Sequence, residues 1–135
     1  MSTSPAFLVA LDHVQLAMPA GGEPDARQFY GGLLGLAEVA KPEPLAARGG
    51  VWFEQGAVRL HFGVEQDFRP ARKAHPAFRV ADLDALRRRL EAAGVAIVDD
   101  EALPGERRFY AADPFGNRLE FLAEIGSRPT PDRRA

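Results

Sequence analysis

The 135-residue chain contains no cysteine, only three histidines and only two lysines. The missing cysteine excludes a disulfide framework, thiolate metal sites, Cys-ligated iron–sulfur clusters and a cysteine nucleophile. Any metal site must therefore be built from some of His13, His61 and His75 together with carboxylates. Long hydrophobic runs are missing too. The longest near the N-terminus, Phe7 to Leu11, falls far below the roughly 18 residues of a membrane span, and no basic segment precedes it as in a signal peptide. The expectation is a cytoplasmic protein with no membrane partner. Nor is there an excess of positive charge: 17 Lys plus Arg face 19 Asp plus Glu, a formal net charge of −2. Phosphate neutralisation needs a basic footprint, so nucleic acid is not an expected partner. No Gly-Lys-Ser/Thr follows the glycine pairs at 21–22, 31–32 and 49–50, which rules out a phosphate loop. The serines, at 2, 4 and 127, all lie in terminal segments, where a nucleophile is unsupported.

What is present is an ordinary globular composition, 46% apolar and 27% charged. At this length folding buries about two thirds of the surface of the unfolded chain, enough for one domain with a real core. Residues 8–18 alternate in their second half and read as a half-buried strand. Pro24 to Leu34 carries Phe29, Tyr30, Leu33 and Leu34 at helical spacing and stops at Gly35. Strands are expected at 36–39, 51–54 and 57–64. The order then repeats. A strand at 75–80 leads to Asp82, a good N-cap for a helix over Leu83 to Ala93 that Gly94 ends. Strands at 95–99, 107–112 and 118–125 follow, with an Asp113-Pro-Phe-Gly116 turn before the last.

The expected fold is thus α+β: two βαβββ repeats, about 7–64 and 74–125, in a single domain covering 1–126. Neither repeat closes a core alone, so the two pack together into a curved mixed sheet whose inner faces line a cavity. Residues 127–135 are expected to form a mobile tail.

Superposing the repeats puts His13 on His75 and His61 on Glu120, with separations of 48 and 45 residues. Four imidazole or carboxylate groups, including every histidine, fall on equivalent inward positions. Such a set suits Zn, Ni, Mn or Fe(II) and leaves coordination positions open for water or substrate. An ion there polarises a substrate oxygen while a carboxylate moves a proton, or Fe(II) binds oxygen. Arg59, Arg79 and Arg118 share the inward parity and are candidates to grip an anionic substrate through bidentate pairs. Gln15 and Tyr110 are candidate hydrogen-bond donors in the cavity. Trp52, Phe53 and Phe109 read as core or pocket wall, and the run Arg87-Arg88-Arg89 as a solvated helix face.

The segments Leu11-Asp-His-Val14, Phe29-Tyr-Gly-Gly-Leu-Leu-Gly35, Ala74-His-Pro-Ala-Phe78 and Asp113-Pro-Phe-Gly-Asn-Arg-Leu-Glu-Phe121 resemble the vicinal oxygen chelate superfamily over nearly the whole chain. That superfamily includes glyoxalase I, bleomycin-resistance proteins, fosfomycin-resistance transferases and extradiol dioxygenases. The resemblance implies that His13, His75 and Glu120 stand at metal-ligand positions, with His61 at or beside a fourth that is often Glu or Gln. It also implies a homodimer in which His13 and His61 come from one subunit and His75 and Glu120 from the other. The function it implies is a divalent-metal-dependent, glyoxalase-like lyase or isomerase acting on a small oxygenated metabolite, with Glu120 as base. Two alternatives are an Fe(II)-dependent ring-cleaving dioxygenase and a non-catalytic antibiotic-binding resistance protein.

Overall fold

In the computed structural model, which describes residues 4–100 and 107–124, the repeat expected from the sequence is present as two βαβββ units. The first comprises β1 (Val14–Met18), a helix α1 beginning at Glu23–Ala26, β2 (Ala37–Val39), β3 (Val51–Gln55) and β4 (Val58–Val64). The second comprises β5 (Ala77–Val80), α2 (Leu83–Ala92), β6 (Ile97–Asp99), β7 (Arg108–Ala112) and β8 (Arg118–Ala123). Each unit forms a four-stranded sheet with the same internal order, β1-β4-β3-β2 and β5-β8-β7-β6. In both, the first strand runs parallel to the last and the other pairings are antiparallel.

The helices follow from local chemistry. Asp82 caps α2 by accepting from Ala85 N at 3.0 Å, and Gly94 ends it with φ +81°. Leu83 and Leu90 face inward; burying Leu90 alone contributes about 2 kcal/mol. α1 starts with Pro24 in its first turn but does not stay α-helical: it widens to π-helical turns over Arg27–Leu33. The Leu34 N to Phe29 O bond at 3.0 Å spans five residues. Gly31 and Gly32, weak α-formers, lie in the widened stretch, which buries Phe29 and Tyr30 side by side. Arg87 is not merely solvated. It holds Asp99 of β6 through two guanidinium nitrogens, at 2.5 and 2.8 Å, and lies 5.7 Å over the Phe109 ring.

One core serves both units. Leu16, Met18, Phe53, Leu60 and Phe62 from the first sheet join Phe109, Leu119 and Phe121 from the second. Two buried polar links cross between them: Tyr30 Oη donates to Asp113 Oδ2 at 2.6 Å, and Asn117 Nδ2 donates to Ala17 O at 3.0 Å. Asp113 Oδ1 also accepts from the backbone N–H groups of Phe115 and Asn117, so the expected turn doubles as a clamp between the repeats. Because both sheets give their apolar faces to this core, side chains of opposite parity turn away from it. No helix among the described residues is long and apolar enough to cross a membrane.

The first strand is shorter than the alternation suggested. Val14 pairs with Leu60, so the residues before Asp12 run past the start of β4 at Val58 and have no neighbouring strand to pair with. Phe7, Leu8, Val9 and Leu11 are consequently exposed, each by more than four-fifths. The expected strand at 118–125 is regular as far as Ala123. Ile125 and the expected tail 127–135 lie outside the described residues.

Candidate functional site

Strand register confirms the equivalence of the repeats residue by residue. Gln15 faces His61 across β1 and β4, and Ala77 faces Glu120 across β5 and β8. His13 and His75 each sit two residues earlier in their chains, so they occupy matching places, as do His61 and Glu120. The same register matches Trp52, opposite His61, with Tyr110, opposite Glu120, and Arg59 with Arg118. All these side chains lie on the sheet faces turned away from the shared core.

On the first sheet three rings form a stack. His61 lies 3.7 Å from Trp52 at an interplanar angle of 3°, and 4.1 Å from His13 on its other side. His61 is buried among them; desolvation, followed by the nearby His13, holds its pKa below the ordinary imidazole value. Asp12 Oδ2 is 2.9 Å from His13 Nδ1, and Arg59 Nη1 donates to Asp12 Oδ1 at 3.1 Å. The His13 hydrogen bond is the largest influence lowering the Asp12 pKa. Gln15 lies over Gly63, where a Cβ would come within 2.7 Å of the Gln15 amide nitrogen; glycine there leaves the amide its place.

On the second sheet Glu120 is buried and held from both sides. His75 Nε2 is 2.9 Å from Oε1, and Arg108 Nη1 donates to Oε2 at 3.1 Å. Arg108 also donates to Asp100 at 2.9 Å. The other ring nitrogen of His75, Nδ1, lies 2.8 Å from the backbone carbonyl of Lys73. A carbonyl only accepts, so Nδ1 carries the proton.

That assignment decides what the pair can hold. With Nδ1–H spent on Lys73, a neutral His75 presents an acceptor lone pair to the Glu120 carboxylate, itself an acceptor. Two acceptors 2.9 Å apart require a shared proton or a metal ion between them. An imidazole nitrogen and a carboxylate oxygen side by side are a donor set that would suit a divalent ion. His13 repeats the device: Asp12 takes its Nδ1–H and leaves Nε2 free.

The structure thus brings the site residues expected from sequence together as two pairs, His13 with His61 and His75 with Glu120. It does not bring all four together. Among the described residues no three His, Asp or Glu side chains cluster closely enough within one chain to hold an ion. Of the four expected substrate-binding residues, Gln15 and Arg59 lie with the first pair and Arg118 lies on the same face as the second. Arg79 stands apart at the far end of β5, donating to Ala123 O at 2.9 Å beside an apolar cleft of about 400 Å³ lined by Leu36, Val58 and Phe78. Sequence reasoning missed Asp12, Arg108 and the Lys73 carbonyl. Asp12 adjoins His13, and Arg108 shares parity with Tyr110, so both had a legible signal; a backbone carbonyl has none.

Residues 10–121 match the family described as Glyoxalase/Bleomycin resistance protein/Dioxygenase superfamily. A glyoxalase family protein from Bacillus anthracis is 47% identical, with a TM-score of 0.86, over 90% of this chain and 99% of that one. The oxidase ChaP-H2 is 28% identical with a TM-score of 0.63, over 90% and 94%. The fosfomycin resistance protein of Listeria monocytogenes is 16% identical, over 96% of this chain and 100% of that one, and its TM-score of 0.67 marks a shared fold alone. No curated protein matched the sequence.

Proposed function

The chain belongs to the glyoxalase/bleomycin resistance protein/dioxygenase superfamily, and from that premise we propose that it is a metal-dependent, glyoxalase-like enzyme of the lyase or isomerase type. Its substrate is a small oxygenated metabolite that chelates the ion through adjacent oxygens. The observation that carries this reading is the convergence of His75 Nε2 and Glu120 Oε1, two acceptors 2.9 Å apart once Nδ1 is committed to Lys73. His13, His75 and Glu120 would hold a divalent ion, with His61 completing or flanking the set. When bound, the ion polarises a substrate carbonyl or enediolate oxygen. Glu120 would take the proton from the adjacent carbon and return it, while Arg108 fixes the carboxylate from behind at 3.1 Å.

A complete site would be shared between two chains. Each chain turns its two half-sites away from a common core, so neither faces the other within it. β1 and β5, the strands nearest His13 and His75, are both sheet edges with open pairing potential. The exposed apolar arm of Phe7, Leu8, Val9 and Leu11 leads directly into His13, and such a stretch favours contact with a second copy. Metal analysis of the purified protein beside His13→Ala and Glu120→Ala tests the reading. Bound ion in the parent and its loss in both variants are expected; a parent that holds none and takes up none on titration overturns it.

The 28% identity to an oxidase favours one second reading, oxygen-using chemistry at Fe(II) on the same two-His-one-carboxylate set. Oxygen consumption with catechols after anaerobic Fe(II) reconstitution separates the two.

A further inference from the structure

Beside Glu120, on the same face of the second sheet, lies a cleft of about 320 Å³ whose floor includes Tyr110, Ala112 and Val98 and whose rim carries Arg72 and Arg118. None of its lining residues is acidic. The Arg118 guanidinium carbon lies over the Tyr110 ring, 4.0 Å from its centroid, and among the described residues the guanidinium's polar contact, to Arg72 O, is long at 3.4 Å. The Arg72 side chain is exposed and has no carboxylate partner among the described residues. Among the described residues, the neighbouring carboxylates are already engaged. Glu120 and Asp100 are bound by Arg108, and Asp113 is buried against Tyr30 and Asn117. Among the described residues, then, two guanidiniums without a carboxylate partner flank a largely apolar recess whose Val98 wall is 60% exposed.

We propose that this cleft binds the anionic end of the substrate, a carboxylate or phosphonate on a short apolar or aryl body, with Arg118 and Arg72 as the anion grip. The proposal rests on the reading of Glu120 as part of the reaction centre and names the substrate class that centre serves. Guanidinium pairs recognise such oxyanions bidentately, and the contact with the Tyr110 ring steadies the Arg118 guanidinium beside the cleft. Arg118 precedes Glu120 by two residues on β8, a distance of about 7 Å along the strand. Arg59, the equivalent residue in the first repeat, is bound to Asp12 and does not make a second grip.

The test is titration of full-length, metal-free protein with 3-phenylpropionate and, separately, its uncharged analogue 3-phenylpropanol, by calorimetry and by backbone amide shifts. The acid is expected to bind at least about tenfold more tightly than the alcohol, and Arg118→Gln or Arg72→Gln to remove most of that preference. Arg72→Gln alters an exposed side chain, which keeps the test independent of folding. Shifts are expected at Val98, Ala112 and Gly116. Equal binding of acid and alcohol, unchanged preference in both variants, or shifts centred on the Leu36 and Phe78 cleft overturns the proposal. Metal uptake by the parent without anion preference overturns this proposal alone. Anion preference in a protein that takes up no metal overturns the metal reading alone.

Discussion

The proposed sharing of the site between subunits predicts a definite metal content for mixed dimers. The donors of one half-site all come from β1 and β4 with the residues leading into them, and those of the other from β5 and β8. A dimer then contains two sites, each pairing the first half of one chain with the second half of the other. Consider His13→Ala and His75→Ala produced separately: every site in either homodimer lacks one histidine, and metal affinity falls by at least the about 10–100-fold that loss of an outer partner costs. In a heterodimer of the two variants both lesions fall in the same site, and the second site is wholly intact. Co-expression with two different tags and sequential affinity capture isolates that heterodimer. Its metal content per dimer is expected at about half that of the parent, against almost none for either homodimer. A heterodimer as empty as the homodimers refutes the shared site. Homodimers that bind metal like the parent refute the ligand assignment itself.

Three further outcomes follow from individual contacts. Asp12→Asn removes the carboxylate that orients His13, and a competition titration with a chelator is expected to show about 10–100-fold weaker metal binding; parent-like affinity removes Asp12 from the site. Burial, reinforced by Asp113, raises the Tyr30 pKa well above the usual phenol value, so the fold favours the neutral ring. Its contribution is complete below about pH 10 and is lost as pH rises from there towards the folded value. The phenolate absorbance assigned to Tyr30, taken as the difference between parent and Tyr30→Phe, is expected to rise only as the protein unfolds; ionisation in the folded protein near pH 10 contradicts the buried bond. Leu90→Ala, at a fully buried position, is expected to cost about 2–5 kcal/mol in urea unfolding, whereas Asp82→Ala at the α2 cap costs about 1 kcal/mol.

How far the site could be read from the residues varied with the range of the physics involved. Alternation and the doubled motif placed His13, His61, His75 and Glu120 on equivalent inner positions, since side-chain parity along a strand is local. The same parity counted Arg79 with them, although its guanidinium ends on the Ala123 carbonyl at the far end of β5. Parity sets a side, not a distance along the strand. Expecting a strand from residue 8 failed for a related reason: Phe7 to Leu11 have the right composition, but the neighbour that would pair with them has already turned at Gln55 and Gly56. The π-helical widening of α1 was equally invisible, because apolar spacing at 29, 30, 33 and 34 is compatible with either helix.

By itself, then, the sequence determined the donor chemistry. The absence of cysteine restricts any ion to nitrogen and oxygen ligands, and the repeat puts the candidate ligands at four matched positions. Only the folded backbone shows which atoms are free to act. The Lys73 carbonyl and the Asp12 carboxylate claim one nitrogen each of His75 and His13, and that choice of tautomer turns Nε2 towards the site. The fold also keeps the two candidate pairs apart within one chain. Hydrophobic burial drives both apolar sheet faces into a common core, and the pleat then obliges the polar faces, with their ligands, to point away from each other.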